Sequence, residues 1–505
     1  MKVLLAGYNI DTQVMKELTG KRKLTTLTPE TISAAYARIS RSRKAVDALR
    51  AEARQEIGKS RKSNRRIIFE MGHHSVAEHA VFNFDVIGIS RRAVEEFENY
   101  RLCSYTEKSQ RYVTLHGDYV VPEELKNTRF DPAFQNMIFR QNRIYEELFL
   151  ELMQYTIEKY ADRIDIKKDA PLLENLAKED ARYILSQATQ TQIGATINAR
   201  NLELMIRRFA SHRLEEIQAL GGHLYRAVEK IAPSVILFHR ANDYDRRTYS
   251  ELTKYLRETK GRIKKGPGEP KIRRSGDQEE SVELVDYTAN ADERILAAIL
   301  YRVKRAPYDR CLKAVKDMDL RGRLDLFRKT CQYMELYDVA LREFEYADLT
   351  FSLIVSAACF GQLKRHRLAT IVSQGYDPGL GITIPESIRT IGKARLFQSV
   401  VRKTEELYDQ IEKKLPGIGS YILTNAHRKR VLMKVNLREL YHISRLREDH
   451  TAQWDIRFLT EKMCSLARKA APVTSQLLAG KTDYPAVYRG FYGRDPKITE
   501  VPEIK

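Results

Sequence analysis

The sequence has few of the residues that metal sites and nucleotide-binding loops require. Its five cysteines are scattered along 505 residues, and none forms a Cys-x-x-Cys pair. A zinc ribbon is therefore not expected, and a reduced, cytoplasmic protein is the simplest interpretation. Neither G-x-G-x-x-G nor a Walker sequence is present, which argues against a Rossmann fold and against a P-loop.

Long apolar runs are also missing. The longest, at 349–363, contains Thr and Ser and is too short to cross a membrane. The first ten residues, MKVLLAGYNI, turn polar too soon for a signal peptide and predict a first strand instead. We therefore expect no association with a membrane.

Positive charge is in excess, with a formal net charge of +20. Such an excess favours anionic partners such as phosphates, nucleotides or RNA, without choosing among them. Much of it lies at 254–275, where nine Lys or Arg face two Glu around a Gly-Pro-Gly. This composition predicts a solvated linker. An arm that binds RNA or an acidic membrane is the alternative that we do not favour.

Four segments of the first half recur in the same order in the second half. The pairs are 27–42 with 287–302, 78–90 with 345–357, 120–125 with 383–388, and 197–208 with 435–446. The chain is therefore interpreted as a tandem duplication. We predict a first unit at 1–250, a basic Gly/Pro linker at 251–280 and a second unit at 281–505.

Each unit is predicted to be α+β, a helix-rich domain with a small mixed or antiparallel sheet. The predicted helices cover 30–60, 131–160, 173–193, 291–316 and 396–415. A last helix is predicted to carry Asn436, Leu440, Ile443, Arg447, His450 and Trp454 on one face. Buried Arg and His need partners, either in a neighbouring helix or in a ligand, and the spacing alone does not choose.

Motifs in both repeats resemble those of the flavin-dependent thymidylate synthases, the ThyX family. In the second repeat QLKRHR (362–367) is similar to the Q-x-x-R-H-R that opens the family signature R-H-R-x-x-S-x-N-E-x-S-x-R, and 435–456 is similar to its last helix. In the first repeat EHAVFNF (78–84) and NYRLCSYTEKSQR (99–111) are similar to the E-H and signature segments.

The two repeats have lost opposite parts of the signature. The first has Asn99 and Tyr100 in place of Arg and His but keeps Glu107, Ser109 and Arg111. The second keeps R-H-R and has lost the N-E-x-S-x-R half, where IVSQGY (371–376) stands. An upstream family arginine survives as Arg182 and is replaced by Ser420 in the second repeat, and Arg208 matches Arg447 only approximately.

The resemblance implies reductive methylation of dUMP, with methylenetetrahydrofolate supplying the carbon, FAD the hydride and NADPH the reducing power. Sites in this family form between subunits of a homotetramer. A homodimer of this chain would mimic that tetramer, with composite sites that take the flavin side from the second unit and the nucleotide side from the first.

The resemblance also implies roles for individual residues. FAD would be held by Arg365, His366, Arg367, Asn436, Arg438 and His450. The nucleotide would be held by Gln362, Ser109, Arg111, Arg182 and Arg447, with His79 at the border of its pocket. Glu107 would lie between the two ligands, and Glu107 and Arg447 are the predicted catalytic residues.

Other interpretations remain open at this point. One is a flavoprotein with altered chemistry on another pyrimidine nucleotide or on an RNA base, and another is a non-catalytic nucleotide-binding homologue. Cys103 lies inside the signature but is predicted to be a packed cysteine rather than a nucleophile. The spacing of His74, Glu78 and His79 does not match known zinc sites, and no metal is predicted.

Overall fold

The computed structural model describes residues 1–13, 28–39, 42–111, 117–161, 166–258 and 282–498. Backbone contacts divide the chain into two compact units. Unit 1 comprises Met1–Lys271 together with Thr390–Thr424, and unit 2 comprises Ile272–Arg389 together with Asn425–Lys505. The segment 390–424 belongs to the second repeat in sequence but packs within unit 1.

The helices and strands follow in the same order in both repeats. The helices of the first repeat are α1 Glu30–Ile39, α2 Val46–Gln55, α3 Ile57–Arg65, α4 Arg91–Phe97, α5 Asp131–Tyr160, α6 Ile166–Ala181, α7 Ala199–Phe209, α8 Glu215–Val228 and α9 Asp243–Glu258. Those of the second are α10 Ala291–Lys304, α11 Tyr308–Lys316, α12 Leu320–Cys331, α13 Ala357–Leu363, α14 Glu386–Thr390, α15 Ala394–Lys414, α16 Leu437–Arg447, α17 Trp454–Ala470 and α18 Tyr484–Tyr492.

Unit 1 contains one four-stranded antiparallel sheet in the order β1-β2-β4-β3. Its strands are β1 Lys2–Tyr8, β2 Val81–Ser90, β3 Ser104–Glu107 and β4 Gln190–Asn198. Phe82, Phe84 and Val86 alternate with exposed residues along β2, so one face of the sheet lies on the core. This confirms both the predicted first strand and the strand predicted from the Phe82 and Phe84 pattern.

Unit 2 contains a second four-stranded antiparallel sheet with the same topology, β5-β6-β8-β7. Its strands are β5 Val282–Tyr287, β6 Asp348–Ser356, β7 Thr370–Ser373 and β8 Arg428–Asn436. A helix-rich chain with two such sheets confirms the predicted α+β class and the repeated unit.

The same capping residues begin equivalent helices in the two repeats. The hydroxyls of Ser90 and Ser356 accept from the third backbone N–H of α4 and α13. The side chains of Asn198 and Asn436 do the same for α7 and α16. Each cap satisfies a helix N–H that would otherwise lack a partner, which explains why these positions have kept their residue types.

Three predicted helices are shorter than expected. Helix 30–60 is divided into α1, α2 and α3, and helix 173–193 ends at Ala181 because β4 begins at Gln190. Helix 291–316 is broken between α10 and α11, where Arg305 has a φ of 48° and Pro307 follows. The left-handed residue and the proline both prevent continuation of the helix. The helices predicted at 131–160 and 396–415 are confirmed.

The last helix of the second repeat was also predicted too long. α16 ends at Arg447 and α17 begins at Trp454, so His450 lies in the connection rather than on a shared helical face. The carboxylate of Asp449 accepts from the backbone N–H groups of Thr451 and Thr482, both at 2.9 Å. These bonds offer the backbone an alternative to the helical ladder, which ends the helix.

The predicted domain limits stay a prediction. α9 extends to Glu258, and residues 259–281, which include most of the predicted linker, lie outside the described residues. Across the described ranges, no helix combines the length and the apolar composition that crossing a bilayer requires.

Candidate functional site

Equivalent positions in the two repeats can be assigned from backbone hydrogen bonds. Ser90 corresponds to Ser356, and the backbone bond from Arg92 to Gln187 corresponds to that from Ala358 to Asn425. In β3 and β7, Ser104 and Thr370 pair with Thr196 and Lys434 at matching places in β4 and β8. Sequence motifs can therefore be compared residue by residue through the sheet.

The predicted catalytic residue Glu107 forms an ion pair with Arg91 inside unit 1. Their side chains are 2% and 11% exposed, and Arg91 follows directly on the cap Ser90. Burial opposes the charge of Arg91, but Glu107 together with Glu98 and Glu95 outweighs it and raises the pKa of the guanidinium. In the second repeat the equivalent residues are Ala357 and Ser373, so both partners of the pair are absent there.

The predicted nucleotide residues Arg111 and Arg182 meet at Glu179 in unit 1. Arg111 Nε lies 2.6 Å from Glu179 Oε2, and Arg182 Nε donates to the Glu179 carbonyl at 3.2 Å. Burial lowers the pKa of Arg182 and raises the pKa of Glu179. Two guanidinium groups are thus held together in a partly dehydrated place, where charge-assisted bonds to an anion are strong.

The second repeat has lost this cluster as well. The stretch YIL follows both Arg182 and Ser420, so Glu179 corresponds to Gly417. The loop after β7, at 374–382, contains no arginine that could replace Arg111. The carboxylate and both arginines of the cluster are therefore absent from repeat 2.

Ser109 and His79 occupy different parts of unit 1. The hydroxyl of Ser109 accepts from the backbone N–H of Arg111 at 3.1 Å, which fixes the turn that carries this arginine. His79 precedes β2 and packs its ring edge-to-face on Tyr36 with 4.7 Å between centroids. The length of β2, about 30 Å for ten residues, separates His79 from Arg91, so unit 1 does not bring it into the arginine cluster.

In unit 2 the predicted residues His366 and Arg447 contact each other directly. Arg447 Nε donates to His366 Nε2 at 3.1 Å, and the ring is 3% exposed. Burial, with the positive charge of Arg447, lowers the pKa of His366 to about 3. The ring is therefore neutral near pH 7, and since Nε2 accepts, its proton lies on Nδ1.

Unit 1 has an aromatic pair at the equivalent place, and the Tyr100 hydroxyl also hydrogen-bonds Arg208. Tyr100 stands at the position of His366, and Phe209, the last residue of α7, stands at the position of Arg447, the last residue of α16. The two rings meet edge-to-face with 5.6 Å between centroids. The approximate match of Arg208 to Arg447 was wrong, because the common Asn caps place Phe209 there.

Gln362 lies beside the His366 pair and holds a buried acceptor. Its side-chain Nε2 donates to Gln453 Oε1 at 3.0 Å, and its backbone carbonyl accepts from Arg447 at 3.5 Å. Its Oε1 is buried and has no hydrogen-bond partner among the described residues. A buried acceptor without a partner costs free energy, so this atom is suited to a ligand N–H. Arg365 is half-buried and Arg367 is exposed.

The other predicted flavin residues are spread along α16. Asn436 is its cap, and Arg438 in the first turn bonds the Ala340 carbonyl at 2.8 Å and Glu345 at 2.9 Å. His450 beyond the C-terminus is exposed and lies 3.2 Å from Asp483. Helix α16 is about 16 Å long at 1.5 Å per residue, so only a long ligand could contact both ends.

Sequence reasoning missed three residues that hold the predicted ones. These are Arg91 and Glu179 in unit 1 and Glu439 in unit 2, whose Oε1 lies 3.9 Å from His366 Nδ1. Burial raises the pKa of Glu439 to about 7. A comparison of the repeats would have identified Arg91, because repeat 2 has replaced both residues of the pair, Arg91 by Ala357 and Glu107 by Ser373.

Comparisons with known proteins give matches in both repeats. The family model described as "Thymidylate synthase complementing protein" matches residues 23–234 and again 283–473. A flavin-dependent thymidylate synthase of Geobacter sulfurreducens is 33% identical over 172 residues, which are 33% of this chain and 65% of that protein. The chain thus covers just under two thirds of this relative's length.

Some relatives align over both repeats. The UPF0159 protein of Thermoplasma acidophilum is 22% identical over 463 residues, covering 83% of this chain and 89% of that protein. Among solved structures, ThyX of Helicobacter pylori complexed with FAD and dUMP is 19% identical with a TM-score of 0.30. That alignment covers 48% of this chain and all of the Helicobacter chain.

Proposed function

Because the chain belongs to the flavin-dependent thymidylate synthase (ThyX) family, we propose that it is an FAD-dependent methyltransferase that converts dUMP to dTMP. Methylenetetrahydrofolate and NADPH are its co-substrates. The sites are composite, taking the nucleotide side from the first repeat and the flavin side from the second. The active form is a cytoplasmic homodimer, and its four repeats take the places of the four subunits of a homotetramer.

The observation that carries this proposal is that the repeats have lost residues in whole groups. Arg91 and Glu107 are both replaced in repeat 2, and His366 and Arg447 are both replaced in repeat 1. A buried charge left alone costs about 3–5 kcal/mol, so the members of each pair are lost together. Each repeat instead keeps the linked residues that the other has lost, which supports a division of labour rather than loss of function.

The retained groups suit a nucleoside monophosphate. Arg111 and Arg182 converge at Glu179 and present the planar donors that fit phosphate oxygens. The buried acceptor Gln362 Oε1 fits a ring N–H of a pyrimidine. Glu107 is paired with Arg91, and a carboxylate placed between two ligands can accept hydrogen bonds from both.

On the flavin side the protein supplies position and charge. Arg365 and Arg367 flank His366 and provide guanidinium groups for a pyrophosphate. The neutral His366 ring is fixed by Arg447, so its orientation does not depend on a ligand. FAD, when bound, supplies the hydride chemistry that no side chain can perform.

The visible spectrum of the protein tests the proposal. The purified protein is incubated with FAD, desalted, and then titrated with dUMP. We expect a retained flavin band that shifts when dUMP binds. Arg365→Ala should abolish flavin retention, whereas Arg111→Ala should keep the flavin and weaken dUMP about 10- to 100-fold, as expected for a lost charge-assisted bond.

Arg321→Ala is the matched control, because Arg321 is an exposed arginine on α12 of unit 2. It should leave both the flavin band and the dUMP titration unchanged. If Arg365→Ala and Arg111→Ala lose flavin equally, the division between repeats is wrong. A colourless wild-type protein would refute the flavoprotein assignment altogether. Growth without thymidine of a thymidine-requiring host that carries the gene then tests the reaction itself.

A second candidate is a nucleotide-binding homologue with altered or no chemistry. It is favoured by one observation: two relatives whose alignments extend over both repeats carry names that state no activity. On this alternative the flavin band and the dUMP response persist, but the host does not grow. Salt-dependent binding of RNA to the same protein would favour chemistry on an RNA base.

A further inference from the structure

Helix α9 carries an exposed row of large apolar side chains. Successive residues of a helix are turned by about 100°, which places these side chains within about 140° of one face. They are Tyr244, Tyr249, Leu252, Tyr255 and Leu256, and their exposed fractions run from 50% to 82%. We call this face the α9 stripe. It lies outside residues 23–234, the part of repeat 1 that the family model matches, so the family does not account for it.

The equivalent helix of the second repeat is α18, and its apolar face is covered. Both helices lie shortly after an Ala-Pro pair and start at an Asp-Tyr pair. Tyr484 and Tyr488 are at most 1% exposed, and their hydroxyls donate to the backbone carbonyls of Met334 and Gln332, just beyond α12. Tyr244, the counterpart of Tyr484, is 72% exposed. The face that unit 2 buries within one copy is therefore exposed on α9.

The first turn of α9 is fixed to the body of unit 1. The side chain of Asp245 is 4% exposed, and its carboxylate lies 2.9 Å from Arg207 Nε on α7. The side chain of Asn242 accepts from the backbone N–H of Asp245 at 2.9 Å and caps the helix. Unit 1 thus presents the stripe at a set place. An exposed apolar surface of this kind is typical of a contact with another molecule.

The charges of α9 favour a protein partner over an anionic one. The helix carries four acidic and four basic side chains, so it is neutral in a chain with a net charge of +20. A neutral surface has no net attraction for RNA or for an acidic membrane. Arg247 and Glu251 border the stripe and pair with each other at 3.3 Å, with more than half of each side chain exposed. In an antiparallel pair of α9 helices this border meets itself, so Arg247 of each copy can pair with Glu251 of the other.

The exposed area is sufficient for a contact between two copies. The stripe offers roughly 600 Å² per copy, since one aromatic side chain alone buries on the order of 150–250 Å². Two copies would bury about 1,200 Å² through α9, which is the lower limit for a specific interface. Tyrosine is also enriched at the centres of such interfaces. A two-fold contact requires a patch that is complementary to itself, and the stripe with its mixed-charge border meets that requirement.

We propose that α9 is a dimerisation helix, which packs antiparallel on α9 of a second copy of the chain. The homodimer belongs to the proposed function, on which this inference rests, and the surface that joins the copies is the added step. Because α9 lies outside the candidate site, the test measures mass and proximity rather than catalysis.

The dissociation constant of the dimer is measured by sedimentation velocity over a range of concentrations of the full-length protein. Leu252→Glu places a charge in the middle of the stripe and should raise this constant about 10- to 100-fold. Ser250→Glu is the matched control, because Ser250 is exposed on the opposite face of the same helix. It should leave the constant unchanged. Circular dichroism checks that both variants fold.

Proximity is tested by crosslinking, since all five native cysteines are buried. Thr248→Cys lies inside the stripe, and a short bis-maleimide should link two copies into a product of twice 58.6 kDa. Ser250→Cys, on the opposite face, should not crosslink, and equal crosslinking of the two variants would overturn the inference.

The outcome for the dimer is separate from the outcome for α9. If the wild type is a dimer whose dissociation constant is the same in Leu252→Glu, the α9 inference is overturned and the proposed homodimer stands. The stripe is then left to a different protein. A wild type that is monomeric at every concentration overturns both the α9 contact and the homodimer.

Discussion

The paired loss of Arg91 and Glu107 predicts a specific result in a double-mutant cycle. The variants are Arg91→Ala, Glu107→Ser and the combination of both, which gives repeat 1 the two residues that repeat 2 carries at these positions. The combination should be more stable than Arg91→Ala alone. The reason is that both buried charges are then removed together, and neither is left without its partner.

The expected magnitudes follow from the burial of the pair. Both side chains are at most 11% exposed, and removing one partner of a buried ion pair costs about 3–5 kcal/mol. Arg91→Ala should therefore lower the free energy of unfolding by about this amount. The double variant should recover about 2–3 kcal/mol of it, which is a coupling energy at the upper end of the usual range.

The assay is urea unfolding followed by far-ultraviolet circular dichroism. The single tryptophan, Trp454, lies in unit 2, so its fluorescence reports on the other unit and serves as an internal reference. Arg92→Ala is the matched control, because Arg92 is the neighbouring buried arginine and pairs with Glu96 at 2.8 Å. Combined with Glu107→Ser it should be additive within about 0.5 kcal/mol.

If the changes in unfolding free energy caused by Arg91→Ala and Glu107→Ser were additive, the two side chains would not stabilise each other. That result would refute the explanation of their joint loss from repeat 2. The double variant also separates stability from function. We expect it to fold and to retain flavin, but to lose the spectral response to dUMP. A normal response in the folded double variant would show that Glu107 does not contact the nucleotide.

Two further predictions concern unit 2. Burial raises the pKa of Glu439 to about 7, so its contribution to stability is complete below its unfolded pKa near 4.5 and is lost as the pH rises through 7. Glu439→Gln should therefore stabilise the protein more at pH 8 than at pH 5, by about 1–3 kcal/mol in thermal unfolding. An equal effect at both pH values would contradict the raised pKa. A Cβ at Gly480 would lie 2.6 Å from the backbone nitrogen of Asp449, so Gly480→Ala should destabilise the protein by about 1–3 kcal/mol, whereas Gly490→Ala, which meets nothing within 4 Å, should not.

The sequence by itself determined the duplication, the α+β class, the strands β1 and β2 and the helices at 131–160 and 396–415. These properties are encoded locally, because a cap such as Ser90 or the alternation around Phe82 acts on neighbouring residues. The motif resemblance likewise identified the residues of the candidate site without coordinates. The family match over both halves confirms the resemblance itself, and the roles of the site residues stay a prediction.

The tertiary structure decided which residues hold the site residues in place. Arg91 reaches Glu107 because β2 and β3 both pair with β4 in fixed registers, and Glu179 reaches Arg111 across 68 positions of sequence. It also decided that α16 ends at Arg447, since Asp449 bonds Thr482 on a distant segment. Such contacts depend on packing between elements far apart in the chain, and no periodicity or spacing in a single segment records them.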